Sequence, residues 1–133
     1  YNGTIILNGA KEDKEILSPL NNIKNSINFI GELSLVDSCA VISQCNLMIS
    51  GDSGPLHIAS ALKVKSIGLY GSMPVNRTGC YSSGVNIVSE KYCVPCNRRK
   101  CKYLKNSGKI YAPCMEEIQT DTVLNTVIDF LKT

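Results

Sequence analysis

The residues best placed to do chemistry are Gly51-Asp52-Ser53-Gly54-Pro55-Leu56-His57. They follow the apolar run Leu47-Met48-Ile49-Ser50 and open a helical pattern at Pro55. In an open α/β sheet, ligands bind at the carboxyl ends of the strands. A helix N-terminus there presents free backbone N–H groups and a partial positive charge, which suits a phosphate. Gly54 lets the backbone approach a ligand closely. Pro55 lacks an N–H, but in a first helical turn that loss costs little. Asp52 can accept hydrogen bonds from sugar hydroxyls, and His57, one turn in, can reach an anionic group. The plainer reading is that Asp52 or Ser53 caps the helix and His57 is a surface residue.

A second group is Cys93-x2-Cys96-x4-Cys101-x12-Cys114. The first pair has metal-like spacing and the rest is irregular. Four thiolates can close a structural zinc site; the alternative is a set of reduced, partly buried cysteines. Cys39 and Cys45 read as helix core. Between these thiols lie Arg98, Arg99, Lys100 and Lys102, with Tyr92 and Tyr103 available for stacking.

The elements that must position these residues read as alternating strands and helices. Strands are expected near 4–7, 27–30, 47–50, 66–70 and 85–88. Lys11 to Leu20 is helical in pattern until Pro19 disturbs it. Ser34 is expected to N-cap a helix from Leu35 to about Cys45, and another helix runs from Pro55 to Leu62. A basic, cysteine-rich, aperiodic segment occupies about 90–114. A last amphipathic helix follows at about 122–131, with Val123, Val127 and Leu131 on one face and Ile128 beside it. Such alternation implies βαβ units and a parallel sheet.

Composition agrees with a globular chain: 133 residues, 44% hydrophobic, 19% charged, net charge +3. That excludes a disordered chain, and no apolar run approaches the ~20 residues that span a bilayer. Nothing at the start reads as a signal peptide, so a cytoplasmic chain is expected. It does not begin with Met, and a longer parent chain is expected too. Residues 1–90 carry six basic against seven acidic side chains, and 91–133 carry eight against four, so the positive charge gathers in the cysteine segment. Seven cysteines, an odd number, do not read as a secreted disulfide framework.

The run Ile49-Ser50-Gly51-Asp52-Ser53-Gly54-Pro55-Leu56-His57-Ile58-Ala59-Ser60-Ala61-Leu62, followed by Ser66-Ile67-Gly68-Leu69-Tyr70-Gly71, resembles the donor-site signature of family 9 glycosyltransferases, the heptosyltransferase family. The similarity extends upstream through Ile6-Leu7-Asn8-Gly9 and Gly31-Glu32-Leu33-Ser34-Leu35. Downstream it runs through the cysteine segment to Cys114-Met115-Glu116-Glu117-Ile118, covering nearly the whole chain.

The resemblance implies the C-terminal half of a GT-B enzyme: a Rossmann-like parallel α/β sheet, here lacking its first strand–helix unit. Residues 1–133 would then be a single, partial nucleotide-sugar-binding domain. It implies transfer of a heptose from a nucleotide sugar such as ADP-heptose to a lipopolysaccharide-core acceptor. By this resemblance Asp52 touches the donor sugar, while Ser53, Gly54 and Leu56 hold the diphosphate with His57 beside them. Asp13 falls where an acidic residue meets the ribose hydroxyls, and Leu33 where an apolar side chain packs on the base. For Asp13 the plain alternative is a solvated residue, and for Leu33 core packing. No cofactor is required. The general base is expected in an N-terminal acceptor domain outside this chain, so no catalytic residue is assigned here and the chain alone is expected to be inactive. The basic loop is expected to favour peripheral contact with the inner face of the inner membrane.

The reading from another class is a cysteine-held basic module at Lys91 to Lys109 that contacts nucleic acid. It leaves the first 90 residues unexplained, and nucleic acid is not the expected partner.

Overall fold

The computed structural model describes residues 2–81, 84–98, 100–104 and 112–132. The chain divides by its internal contacts into two compact units, Tyr1–Val41 and Ile42–Thr133.

In the first unit, β1 (Ile5–Leu7) and β2 (Ser26–Asn28) pair in parallel, with Ile5 opposite Ser26 and Leu7 opposite Asn28. The connection is less regular than a single helix. A 3-10 turn (Lys11–Asp13) leads into α1 (Lys14–Leu17), and a second 3-10 stretch follows (Ser18–Asn22). Pro19 lies in the first turn of that second stretch. Having no N–H and a fixed φ, it starts a turn but cannot continue the α-helix before it. Gly31 adopts φ +69°, and a Cβ there would lie 2.7 Å from the Lys11 Cα. Glycine is therefore required on two counts, conformation and space. Lys14 and Glu32 form an exposed ion pair, and the ammonium holds the Glu32 carboxyl below its ordinary range.

The helix α2 (Leu35–Ser43) starts where expected. The Ser34 hydroxyl accepts from the Asp37 N–H at 3.2 Å and donates to the Asp37 carboxylate at 2.6 Å, a cap of the expected kind.

The second unit holds β3 (Leu47–Gly51), α3 (Gly54–Ala61), β4 (Lys65–Tyr70), α4 (Val75–Thr78), β5 (Gly84–Val88), α5 (Pro113–Glu116) and α6 (Thr120–Lys132). The three strands pair in the order β3-β4-β5, all parallel. As the middle strand, β4 is covered on both faces, and Ser66, Ile67, Gly68 and Tyr70 are buried. Buried Ile42, Ala59 and Val64 form a core against which Cys45, Met48 and Ile58 pack. On α6, Val123, Val127 and Phe130 are half-buried, whereas Ile128 and Leu131 of the expected apolar face remain exposed. Lys65 Nζ donates to the Phe130 carbonyl at 3.1 Å and sits 5.8 Å from that ring's centre, tying α6 to the start of β4.

The five expected strands are all present and parallel. Within the first unit β1 pairs with β2, and within the second the order is β3-β4-β5. Periodicity marks a strand; it does not say which strands adjoin.

Candidate functional site

The Gly51–His57 turn lies at the carboxyl end of β3, beside the end of β4, since Gly51 pairs with Leu69. The plain capping reading does not hold. Ser53 occupies the N-cap position in an extended conformation (φ −152°, ψ 162°), yet among the described residues no side-chain cap hydrogen bond is made there. Its hydroxyl instead pairs with that of Ser50 at 2.8 Å. Asp52 is also drawn away from the helix. One carboxylate oxygen accepts from the Thr78 hydroxyl at 3.1 Å, and the other lies 3.4 Å from His57 Nε2, an ion pair whenever the imidazole is protonated. Of the first-turn positions of α3, Pro55 has no N–H and Leu56 is fully buried, so the amides left to an external acceptor are those of Ser53 and Gly54. A Cβ on Gly54 would meet nothing within 4 Å, so the turn faces open space there. The arrangement suits an anion on the amides, with a carboxylate and an imidazole beside it.

Leu56 plays a narrower part than its neighbours. Its side chain is fully buried, with Cδ2 3.1 Å from where a Cβ on Gly68 would stand. The whole residue is buried, backbone included, so Leu56 packs under the turn and does not face a ligand. The wall behind Asp52 was not foreseen from the sequence. The Tyr70 ring is fully buried and its hydroxyl donates to the Thr78 carbonyl at 2.6 Å. Burial first, then the nearby Cys80 and Asp52 side chains, push the Tyr70 hydroxyl up to about 12. No motif announces Thr78 in the sequence, because it meets Asp52 across 26 residues.

Asp13 and Leu33 belong to the first unit. One Asp13 carboxylate oxygen accepts from the Ala10 N–H at 2.9 Å, so the residue is tied into the turn that starts Lys11–Asp13 rather than freely solvated. Leu33 is half-buried just after the constrained Gly31. In the same unit Lys14, Asn21, Asn28, Ile30 and Glu32 line a cavity of about 290 Å³.

All seven cysteines are free thiols. Among the described residues, no group of three or more His, Cys, Asp or Glu is placed to hold a metal ion, and these include Cys93, Cys96, Cys101 and Cys114. Cys114 is buried beneath Gly71, whose Cβ would stand 2.7 Å from its sulfur. Burial pushes its thiol up, and the nearby Cys101 and Cys93 add to the shift. The loop is held by the Asn97 N–H donating to the Ser72 carbonyl at 2.6 Å, and by Tyr92 and Tyr103, which are hydroxyl-bonded and packed edge to face. Arg99 and residues 105–111 of the basic segment lie outside the described residues. No described helix is long and apolar enough to cross a membrane.

Comparison with known proteins places this geometry in a family. Lipooligosaccharide heptosyltransferase 2 of Campylobacter jejuni is 25% identical over 136 aligned residues, covering 96% of this chain and 40% of its own. The lipopolysaccharide core heptosyltransferase OpsX of Haemophilus influenzae is 35% identical over 82 residues, or 60% of this chain and 24% of its own. Among solved structures, the ADP-heptose lipopolysaccharide heptosyltransferase II of Escherichia coli superposes with a TM-score of 0.72 at 24% identity, over 96% of this chain and 36% of that one. The chain therefore spans about 40% of the length of the Campylobacter relative. The profile of glycosyltransferase family 9 (heptosyltransferase) matches residues 2–106, which takes in the first 90 residues that a nucleic-acid module leaves unexplained. With most of its length matched, the chain belongs to glycosyltransferase family 9, the heptosyltransferases.

Proposed function

We propose that residues 1–133 form a partial nucleotide-sugar-binding domain, the donor half of a heptosyltransferase acting on a lipopolysaccharide-type acceptor. The observation that carries this reading is the first turn of α3. It ends a parallel strand, makes no side-chain cap hydrogen bond among the described residues and opens onto free space at Gly54. In this reading the backbone of Ser53 and Gly54 holds the donor diphosphate, the Ser53 hydroxyl assists, and buried Leu56 supports the turn from beneath. Asp52 accepts from the sugar hydroxyls and His57 stands by the phosphates. Asp13, one carboxylate oxygen of which accepts from the Ala10 N–H, is proposed for the ribose hydroxyls, and Leu33 for the base. The chain's own groups hold the donor and no cofactor is invoked. Stabilising the leaving diphosphate lowers the barrier to sugar transfer. The base that takes the acceptor proton would come from an acceptor domain.

The donor is proposed to be ADP-heptose and the acceptor the lipopolysaccharide inner core. The Lys- and Arg-rich segment around Arg98, Lys100 and Lys102 would draw the protein to the cytoplasmic face of the inner membrane. Calorimetric titration with ADP, AMP and ADP-heptose tests the reading. ADP should bind more tightly than AMP, because the second phosphate engages the α3 amides, and ADP-heptose more tightly still. Equal affinity for AMP and ADP, or no binding of either, rejects it.

A further inference from the structure

An aspartate immediately before an N-cap has a ready alternative to binding sugar. Its carboxylate can fold over the helix N-terminus, where free N–H groups and the helix dipole attract it. Placed there, Asp52 would occupy the position that the proposed function gives to a diphosphate. In the structure it does not. Thr78 Oγ1 lies 3.1 Å from Asp52 Oδ2 and 3.5 Å from the Pro74 carbonyl. A carboxylate only accepts, so the hydroxyl donates its single hydrogen, and the shorter contact goes to Asp52. Thr78 is itself fixed from behind. Fully buried Tyr70, on β4, donates to the Thr78 carbonyl at 2.6 Å. The Asp52 side chain is only 18% exposed, so the bond is partly shielded from water. His57 Nε2 stands by the other oxygen at 3.4 Å.

We infer that Thr78 is a positioning residue: its hydroxyl, on a backbone that Tyr70 holds through the carbonyl, keeps the Asp52 carboxylate off the first turn of α3 and so leaves the Ser53 and Gly54 amides open to a diphosphate. The inference rests on the donor-site reading above. Hydrogen bonds to charged groups are worth enough that losing this one should move the carboxylate. A freed, negatively charged competitor on the amides should weaken diphosphate binding about tenfold.

ADP is the probe, because it carries the diphosphate without the sugar that Asp52 would touch. Its affinity for the full chain is measured in Thr78→Val, which keeps the shape and removes the hydroxyl, and in Thr78→Ser, which restores the hydroxyl. Each variant is also made in an Asp52→Ala background, with folding checked by circular dichroism. Thr78→Val should weaken ADP binding about tenfold and Thr78→Ser should return it to the parent value. In the Asp52→Ala background, Thr78→Val should have no further effect. A loss of affinity that persists without Asp52 would mean that Thr78 only supports the local fold, and would overturn the inference. So would Thr78→Val binding ADP as the parent does. If Thr78→Val does not fold, Thr78→Ala carries the same comparison. If the parent chain binds no ADP at all, the donor-site reading itself fails, a result distinct from parent binding that Thr78→Val leaves unchanged.

Discussion

Gly54 offers a direct residue-scale test, because space stands where its side chain would be. Gly54→Leu should fold as the parent does, with stability changed by no more than about 0.5 kcal/mol, as for an ordinary surface substitution. The added side chain would fill the approach to the α3 amides. ADP affinity should fall about tenfold or more, since each hydrogen bond to a charged phosphate is worth roughly 1.5–3 kcal/mol. Unchanged ADP affinity in a well-folded Gly54→Leu would move the diphosphate away from this turn. Tyr70 gives a second test at this scale, through pH. Its hydroxyl is raised from the ordinary value of 10.0 to about 12 in the fold. The folded state therefore holds the proton more tightly than the unfolded chain. The stability that follows is fully present below pH 10 and is lost as pH rises from 10 to about 12. Two units correspond to about 2–3 kcal/mol. Urea titrations should show stability falling over that window in the parent and falling less in Tyr70→Phe. Parallel slopes for the two proteins would contradict the shift.

At the scale of elements, the site depends on β4 lying close beneath α3. Gly68 has no room for a side chain. A Cβ there would stand 2.5 Å from the Tyr70 ring, 3.0 Å from the Cys80 sulfur and 3.1 Å from Leu56 Cδ2. Tyr70 and Leu56 are fully buried and cannot swing aside cheaply. Gly68→Ala should therefore cost about 1–3 kcal/mol by overpacking. Because Tyr70 anchors Thr78, the substitution should weaken ADP binding as well. Chemical denaturation and calorimetry on the same preparation separate the two effects. A Gly68→Ala protein of parental stability would show that the contact between β4 and α3 has room to relax.

For the molecule as a whole, the chain covers about 40% of the length of its Campylobacter relative. If residues 1–133 supply only the donor side, the isolated chain should release no ADP from ADP-heptose in the presence of a truncated lipopolysaccharide acceptor. A positioned base alone typically contributes 10²–10⁴-fold, and holding donor and acceptor together contributes several kcal/mol more. Joining an acceptor domain to the chain should bring turnover back, and Asp52→Ala in that two-domain protein should reduce it sharply. Turnover by the isolated chain at the rate of a two-domain relative would show that residues 1–133 contain everything the reaction needs.

The sequence by itself determined the local pieces. Alternating apolar runs placed the strands to within a residue or two, and Ser34 marked a helix start through a bond that spans three residues. The Gly51–His57 turn was legible because its chemistry is carried by neighbouring residues on one strand–helix connection. Pro19 announced a break, although not the pair of 3-10 stretches that resulted. Contacts between distant residues were decided only by the tertiary structure. It paired β1 with β2 and set the order β3-β4-β5, turned Ser53 to Ser50 rather than to the helix, and buried the Leu56 side chain. It also brought Thr78 to Asp52 and Tyr70 to Thr78. The physical reason is the same throughout. A turn or a cap follows from preferences of a few adjacent residues, whereas a carboxylate's choice between a helix terminus and a distant hydroxyl depends on how the strands beneath it pack.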